Sequence, residues 1–346
     1  MRAGASALPL LALLAGGATQ APADGDAGIP AAGFGPRLER FAYPWPVRTM
    51  RATVGGETAE MAFMDVAPTA PANGRTAVLL HGKNFCGATW ESGARALAAA
   101  GWRVLIPDQI GFCKSSKPAA AQYSFALLAT LTERLLREQG VTRAAVVGHS
   151  MGGMLAMRIA LLHPERVERL VLVNPLGLAD RAAEGVPYAT VDALLAGERK
   201  TDFETIKRYQ LANYYHGTWR PAYDRWVAML AGMYRGPGLE TVALAQAKTA
   251  EMIYTQPVAH ELERIAAPTT LLIGDLDRTA FGRARAPDGI REALPAIPAV
   301  APAAARRIPG ARLVMLPGLG HSPQVEAPER FNRALLEALG GTARGH

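Results

Sequence analysis

Short unbroken apolar runs recur along the chain, separated by stretches in which apolar residues return at helical spacing. Ala77–Leu80 and the runs within WRVLIPD (102–108), RAAVVGHS (143–150), RLVLVNP (169–175), PTTLLIGDLD (268–277) and ARLVMLPGLGH (311–321) have strand length. Strands that are apolar throughout are buried on both faces. Thr49–Val54 and Met61–Val66 alternate instead, which predicts two earlier strands with one wet face. Trp90–Ala100, Leu127–Glu138, MGGMLAMRIALLH (151–163) and Glu329–Leu339 read as helices. Such alternation predicts an α/β class: a mostly parallel central sheet with helices on both faces.

Ligand sites in these sheets form beyond the carboxyl ends of the strands. Chemistry is therefore expected in His81–Cys86, Asp108–Ser115, Gly148–Gly152, Asn174–Pro175, Asp275–Asp277 and Gly318–His321. Between residues 177 and 265 the alternation stops, and aromatic and methionine residues recur at helical spacing. This segment reads as a helical cap inserted after strand six, splitting the core into 24–176 and 266–346. His81, His149, Tyr215, Trp219, Trp226 and Met233 are the candidates to line a pocket beneath it. The Pro- and Ala-rich stretch 281–300 is expected as a loop near the entrance.

Composition and charge narrow the function classes. The chain has 346 residues and a net charge of +7. Its arginines are scattered rather than blocked, which reads as a solvated surface and not as a nucleic-acid footprint. No spacing suits a metal site, and no cofactor is implied. One Arg, a short apolar run (Ala7–Leu14) and small residues thereafter form the layout of an export signal over 1–23, cleaved near Ala23. The mature protein is then expected to be periplasmic or secreted, and the run is too short for a stable membrane span.

Gly148-His149-Ser150-Met151-Gly152 is G-x-S-x-G between a buried strand and a helix, the context in which a serine is lifted above the sheet as a nucleophile. A serine hydroxyl needs a base. Of seven histidines, His321 follows the last strand through a Gly-rich turn and can return to the strand ends. The base needs an acid to fix its tautomer. LLIGDLDR offers Asp277, with Asp275 as the alternative more suited to holding the turn. Ser, Asp, His in that chain order fits the α/β-hydrolase pattern.

From about Arg48 to Leu339, the chain resembles the α/β-hydrolase superfamily in its capped, lipase- and epoxide-hydrolase-like branch with a serine nucleophile. The resemblance rests on His81-Gly82, DQIGFCKSSKP (108–118), GHSMGGM (148–154), GDLD (274–277) and GHSPQVEAPERF (320–331). It implies a Ser150, Asp277, His321 triad and an oxyanion hole from the N–H groups of Met151 and Lys83, or Asn84 in place of Lys83. It makes Asp108 and Ser115 turn-building residues. Cys113 departs from it, standing where the family usually has Gly. Cys86 and Cys113 end strands that are neighbours in this family, so they are either a disulfide or two buried thiols. The Lys83 ammonium is expected to reach solvent, with an acidic substrate group as the alternative.

Serine at the elbow implies acyl chemistry on a small, apolar ester, or on a lactone or amide, in the carboxylesterase manner. C–C bond hydrolysis of meta-cleavage products uses the same triad, and NPLGL (174–178) resembles that group, though HGKNFC (81–86) lacks its glycines. Cofactor-free haloperoxidases share the triad as well. A non-catalytic small-molecule binder on the same fold is the reading from another class.

Overall fold

The computed structural model describes residues 28–340, so the expected export signal lies outside the described residues. The strands are β1 (Val47–Val54), β2 (Glu57–Val66), β3 (Thr76–Leu80), β4 (Arg103–Pro107), β5 (Ala144–His149), β6 (Val167–Val173), β7 (Thr269–Gly274) and β8 (Arg312–Leu316). They form one sheet in the order β1-β2-β4-β3-β5-β6-β7-β8. The pairs β1/β2 and β2/β4 are antiparallel. All pairs from β4/β3 to β7/β8 are parallel.

The pleat sorts the apolar runs into two cores, because successive side chains point to opposite faces. On one face Ala77, Leu79, Ala145 and Val147 pack with helix α1 (Glu91–Ala99). On the other, Val78, Leu80, Val146 and Leu172 pack under α2 (Phe125–Glu138) and α3 (Met151–Leu162). Ser124 starts α2, its side chain accepting from the Leu127 N–H at 3.0 Å, as an N-cap does.

Between β6 and β7 the chain forms the expected cap: α4 (Val191–Glu198), α5 (Phe203–Asn213), α6 (Asp224–Tyr234) and α7 (Leu239–Thr255). After β7, the stretch expected as a loop instead folds. It holds a 3-10 turn at Arg283–Arg285, then α8 (Asp288–Ala293) and the start of α9 (Ile297–Arg307). Of its three prolines, Pro287 sits just before α8 and Pro298 in the first turn of α9, where a missing N–H costs nothing, and Pro295 lies between the two helices. After β8 come α10 (Pro323–Glu326) and α11 (Pro328–Ala338), the latter packed beside α1.

Ahead of β1, residues 29–41 strap the cap to the core. Ile29, Phe34 and Leu38 are buried. The Phe34 N–H donates to the Gly232 carbonyl of α6 at 2.7 Å, and Arg37 pairs with Glu60 of β2 at 3.1 Å. Among the described residues no helix is long and apolar enough to cross a membrane.

Candidate active site

Ser150 stands between β5 and α3 with φ 56° and ψ −118°, a backbone conformation that side chains rarely adopt. Such a residue stores roughly 1–3 kcal/mol of strain and persists where its surroundings over-determine it. Here the Ser150 N–H donates to Val173 O (3.0 Å), while its carbonyl accepts from Gly153 (2.9 Å) and Leu176 (3.1 Å). The flanking glycines answer to close approach. A Cβ on Gly148 would lie 2.1 Å from Gly152 O, and one on Gly152 would lie 2.3 Å from Leu80 O. Glycine at both positions lets the strand, turn and helix pack this tightly.

The loops after β7 and β8 bring Asp277 and His321 together. His321 Nδ1 lies 2.8 Å from Asp277 Oδ2, with both side chains fully buried. The other Asp277 oxygen accepts from the Thr279 N–H at 2.7 Å. His321 Nε2 is buried without a partner, an atom left free to take a proton. Asp275 is engaged elsewhere: it accepts from the Gly318 N–H at 2.6 Å and holds the turn.

His149 and Asn174 anchor the His321 backbone. His149 Nε2 donates to His321 O at 2.8 Å, which leaves its Nδ1 bare and buried. Burial holds the His149 pKa well below the ordinary value, and the nearby His321 pushes the same way. Asn174, itself at φ 40°, donates to the carbonyls of Gly320 (3.0 Å) and His321 (2.9 Å) and accepts from the Gly274 N–H (2.9 Å). One amide thus ties the Asp277 and His321 loops to the end of β6. Glu326 braces the same loop, accepting from Gly320 N–H (2.6 Å) with His216 against its other oxygen (2.7 Å).

After β3 the chain makes a turn closed by Phe85 N–H to Gly82 O at 3.2 Å. The N–H groups of Lys83 and Asn84 lie inside that turn and take no part in closing it. Met151 opens α3, where the first N–H groups have no intrahelical acceptor. His81 locks the turn to the end of β4: its Nε2 accepts from Gln109 N–H (3.1 Å), so the proton sits on Nδ1 and is donated to Gly82 O (2.9 Å). Burial lowers the His81 pKa, favouring this neutral form.

Cys86 and Cys113 are joined as a disulfide that ties this turn to the loop after β4. Cys113 takes φ 48°, the left-handed conformation that explains why glycine would suit the position. Lys117 donates to Cys113 O at 2.7 Å, and burial pushes its ammonium down to about 7. Asp108 builds the same corner, accepting from Gly87 N–H (2.7 Å), Tyr43 Oη–H (2.7 Å) and Lys114 N–H (3.0 Å). Its backbone carbonyl accepts from Ser115 Oγ at 2.6 Å. Among the described residues, one grouping of metal-type donors comes together, His81, Asp108 and Cys113. Each is already engaged, the cysteine covalently.

The Lys83 ammonium does not reach solvent as expected. It pairs with Glu198 of α4 at 2.8 Å and with Gln246 Oε1 of α7 at 3.0 Å, the ion pair being only 14% and 17% exposed. Tyr234 donates to the second Glu198 oxygen at 2.6 Å. These groups lie on the wall of a cavity of about 800 Å³ between the cap and the strand ends, with Asn84, Met233 and Phe281 also on its wall. Ser150 and His321 are not on that wall. Tyr214 of the cap covers His321, its ring 4.4 Å from the imidazole and its hydroxyl accepting from Asn84 Nδ2 at 2.9 Å.

Of the pocket candidates, Met233 is on the wall and five are not. His81 and His149 are held beneath it by the bonds above. Tyr215, Trp219 and Trp226 belong to a separate aromatic cluster, with Tyr215 stacked on Tyr223 at 3.9 Å and Trp219 edge-on at 5.4 Å. Rings a few residues apart in sequence satisfied one another there. Glu198, Tyr214 and Thr279 were not expected at the site, and nothing in their local sequence sets them apart.

Comparison with known proteins agrees with this architecture. The family model for the alpha/beta hydrolase fold matches residues 77–328. A solved structure described as a probable hydrolytic enzyme from Pseudomonas aeruginosa PAO1 is 55% identical, with a TM-score of 0.87, over 89% of this chain and 99% of that one. A 2-hydroxy-6-oxononadienedioate/2-hydroxy-6-oxononatrienedioate hydrolase from Paraburkholderia phymatum is 30% identical over 77% of this chain and 87% of its own length. A 2-hydroxymuconate semialdehyde hydrolase from Pseudomonas putida is 28% identical over the same shares. The chain is a hydrolase and belongs to the alpha/beta hydrolase fold family.

Proposed function

We propose that the protein is a serine hydrolase that cleaves a carboxylic ester, or a related lactone or amide bond, through an acyl-enzyme. The observation that carries this reading is the strained Ser150 elbow beside a buried Asp277–His321 pair whose Nε2 is left unpartnered. His321 takes the proton of Ser150 as the hydroxyl attacks the carbonyl carbon; Asp277 fixes the tautomer and stabilises the imidazolium. The N–H groups of Met151 and Lys83 receive the oxyanion. His321 returns the proton to the leaving alcohol, and water repeats the sequence to release the acid.

The test is labelling by a fluorophosphonate, together with turnover of p-nitrophenyl esters of rising chain length, by wild type and Ser150→Ala. Labelling and turnover that both vanish in the variant are expected. Absence of both from the folded wild type would overturn the reading and leave a binder on a hydrolase fold. A second reading, hydrolysis of a C–C bond in a meta-cleavage product with the same three residues, is favoured by the relatives from Pseudomonas putida and Paraburkholderia phymatum. Turnover of 2-hydroxymuconate semialdehyde by a protein that labels but leaves esters intact would make it the better one.

Export is proposed with the activity. A disulfide persists where thiols are not kept reduced, and Cys86–Cys113 is supported by export through the leader at 1–23. Cell fractionation with sequencing of the mature N-terminus tests it, a start near Asp24 being expected.

A further inference from the structure

The cavity under the cap is mainly apolar, yet three arginines of the segment after β7, Arg283, Arg285 and Arg291, stand on its wall. Two are committed within the protein. Arg283 donates to the carbonyls of Arg278 (3.1 Å) and Leu294 (2.5 Å). Arg291 donates to Ala286 O (2.9 Å) and pairs with Asp288 at 3.1 Å.

Arg285 is different. Its guanidinium carbon lies 5.7 Å from the Phe281 ring and 5.9 Å from the Tyr254 ring, and its Nε is buried without a partner. Among the described residues no carboxylate pairs with it. The acid on the cavity wall, Glu198, is consumed by Lys83 and Tyr234. A half-buried guanidinium flanked by rings, with no carboxylate partner inside the protein, has donors free to take an anion from the cavity. A planar fork of donors is matched best by one carboxylate.

We infer that Arg285 is a specificity residue that binds a carboxylate on the substrate, so that the preferred substrate is an apolar chain carrying the scissile bond towards Asn84 and Lys83 and an anionic end towards the segment after β7. The inference rests on the serine hydrolase reading for the bond cleaved, but not for the binding. Lys83 takes no part in it, being neutralised by Glu198.

The experiment compares p-nitrophenyl butyrate with p-nitrophenyl hemiglutarate on wild type, Arg285→Met and Arg285→Lys. A charge-assisted bond predicts a kcat/KM preference of about 10- to 100-fold for the carboxylate ester in wild type, expressed in KM. Arg285→Met is expected to lose the preference and Arg285→Lys to keep part of it. No preference in wild type, or one that survives Arg285→Met, overturns the inference. Calorimetric titration of wild type with heptanoate and heptanamide decides the matter without turnover and without a variant. Tighter binding of heptanoate that weakens with added salt supports the site, and equal binding refutes it. Failure of fluorophosphonate labelling would sink the hydrolase reading alone, since the titration continues to judge Arg285.

Discussion

Two sides of the molecule meet where the cap covers the strand ends, and they are built differently. On the strand-end side, Ser150, Asn174, Asp277 and His321 follow parallel neighbours of one sheet and are tied by hydrogen bonds to backbone atoms of adjacent loops. On the cap side the contacts are apolar and aromatic, joined to the other side by the Lys83–Glu198 pair, the Asn84–Tyr214 bond and His321 N–H to Tyr214 O at 2.8 Å. A side anchored to backbone can hold reacting groups to a fraction of an ångström, as catalysis requires. A side built of side chains packed on helices can change its lining without disturbing that geometry. On the proposed function, chemistry falls to the sheet and selectivity to the cap and the segment after β7.

The sharpest way to break this division is to substitute within the sheet side. Ser150→Ala is expected to lower kcat by at least about 10³-fold, and Asp277→Asn by about 10⁴-fold with little change in KM. Asp275→Asn, which touches only the turn at Gly318, is expected to stay within about 10-fold. Steady-state kinetics on one ester checks all three. Equal losses at Asp275 and Asp277 would mean that the buried contact to His321 is not what orients the base.

The next effect in size concerns the disulfide. Cys86 and Cys113 are 27 residues apart, and closing a loop of that length contributes roughly 3–4 kcal/mol in the chain-entropy account. Cys86→Ser with Cys113→Ser should lower the Tm accordingly. The turn that carries Lys83 and Asn84 lies against this bond, so kcat should fall with it while KM changes less. A fall in Tm without loss of kcat would show that the turn is held by His81 and Asp108 alone.

Smaller still is the link between the two sides. Lys83→Met leaves Glu198 mostly buried with only Tyr234, and a cost of about 1–3 kcal/mol is expected in urea unfolding. The double variant with Glu198→Gln should recover most of it, because replacing both charges removes the unpaired one. A double-mutant cycle measures this directly. Additive losses would mean that the ion pair does not hold cap to core.

The two sides also differed in what could be read in advance. Ser150 and Asp277 follow the fully buried strands β5 and β7, whereas His321 follows the edge strand β8, which is mostly not buried, through a Gly-rich turn, so the rule that sites form at strand ends singled out all three as candidates. The cap offered only helical spacing, which gives the helices but not the face each turns to the cavity. Trp219 and Trp226 have the composition of pocket residues, yet Trp219 packs on Tyr215 and Tyr223 and Trp226 lies against the same cluster under Arg225, both off the cavity wall. The fate of Lys83 depended on Glu198, 115 residues later, and no local pattern encodes that contact. The Pro- and Ala-rich stretch 281–300 reads as a loop, whereas here one proline stands ahead of one helix and another in the first turn of the next. Asn174 was placed at a strand end, but its three bonds to two other loops exist only once the sheet has assembled.

Acid provides the subtlest probe, and it bears on whether the sheet side is as dry as its bonds imply. His149 is buried and neutral in the folded protein, its pKa held well below the ordinary value by burial. In the unfolded chain it titrates near 6.5. Above that pH both states are neutral and His149 contributes no pH dependence. Below it the unfolded chain binds a proton that the folded chain refuses, so stability falls as pH falls towards the folded pKa. Between pH 7.5 and 5.5 this one group should therefore lower stability. His149→Gln retains a donor for His321 O but cannot titrate, so its urea midpoint should drop less over that interval than that of wild type. Equal slopes would mean that His149 accepts a proton in place. The groups around His321 would then be wet enough to share charge, and the contrast with the cap would lie in flexibility rather than in exclusion of water.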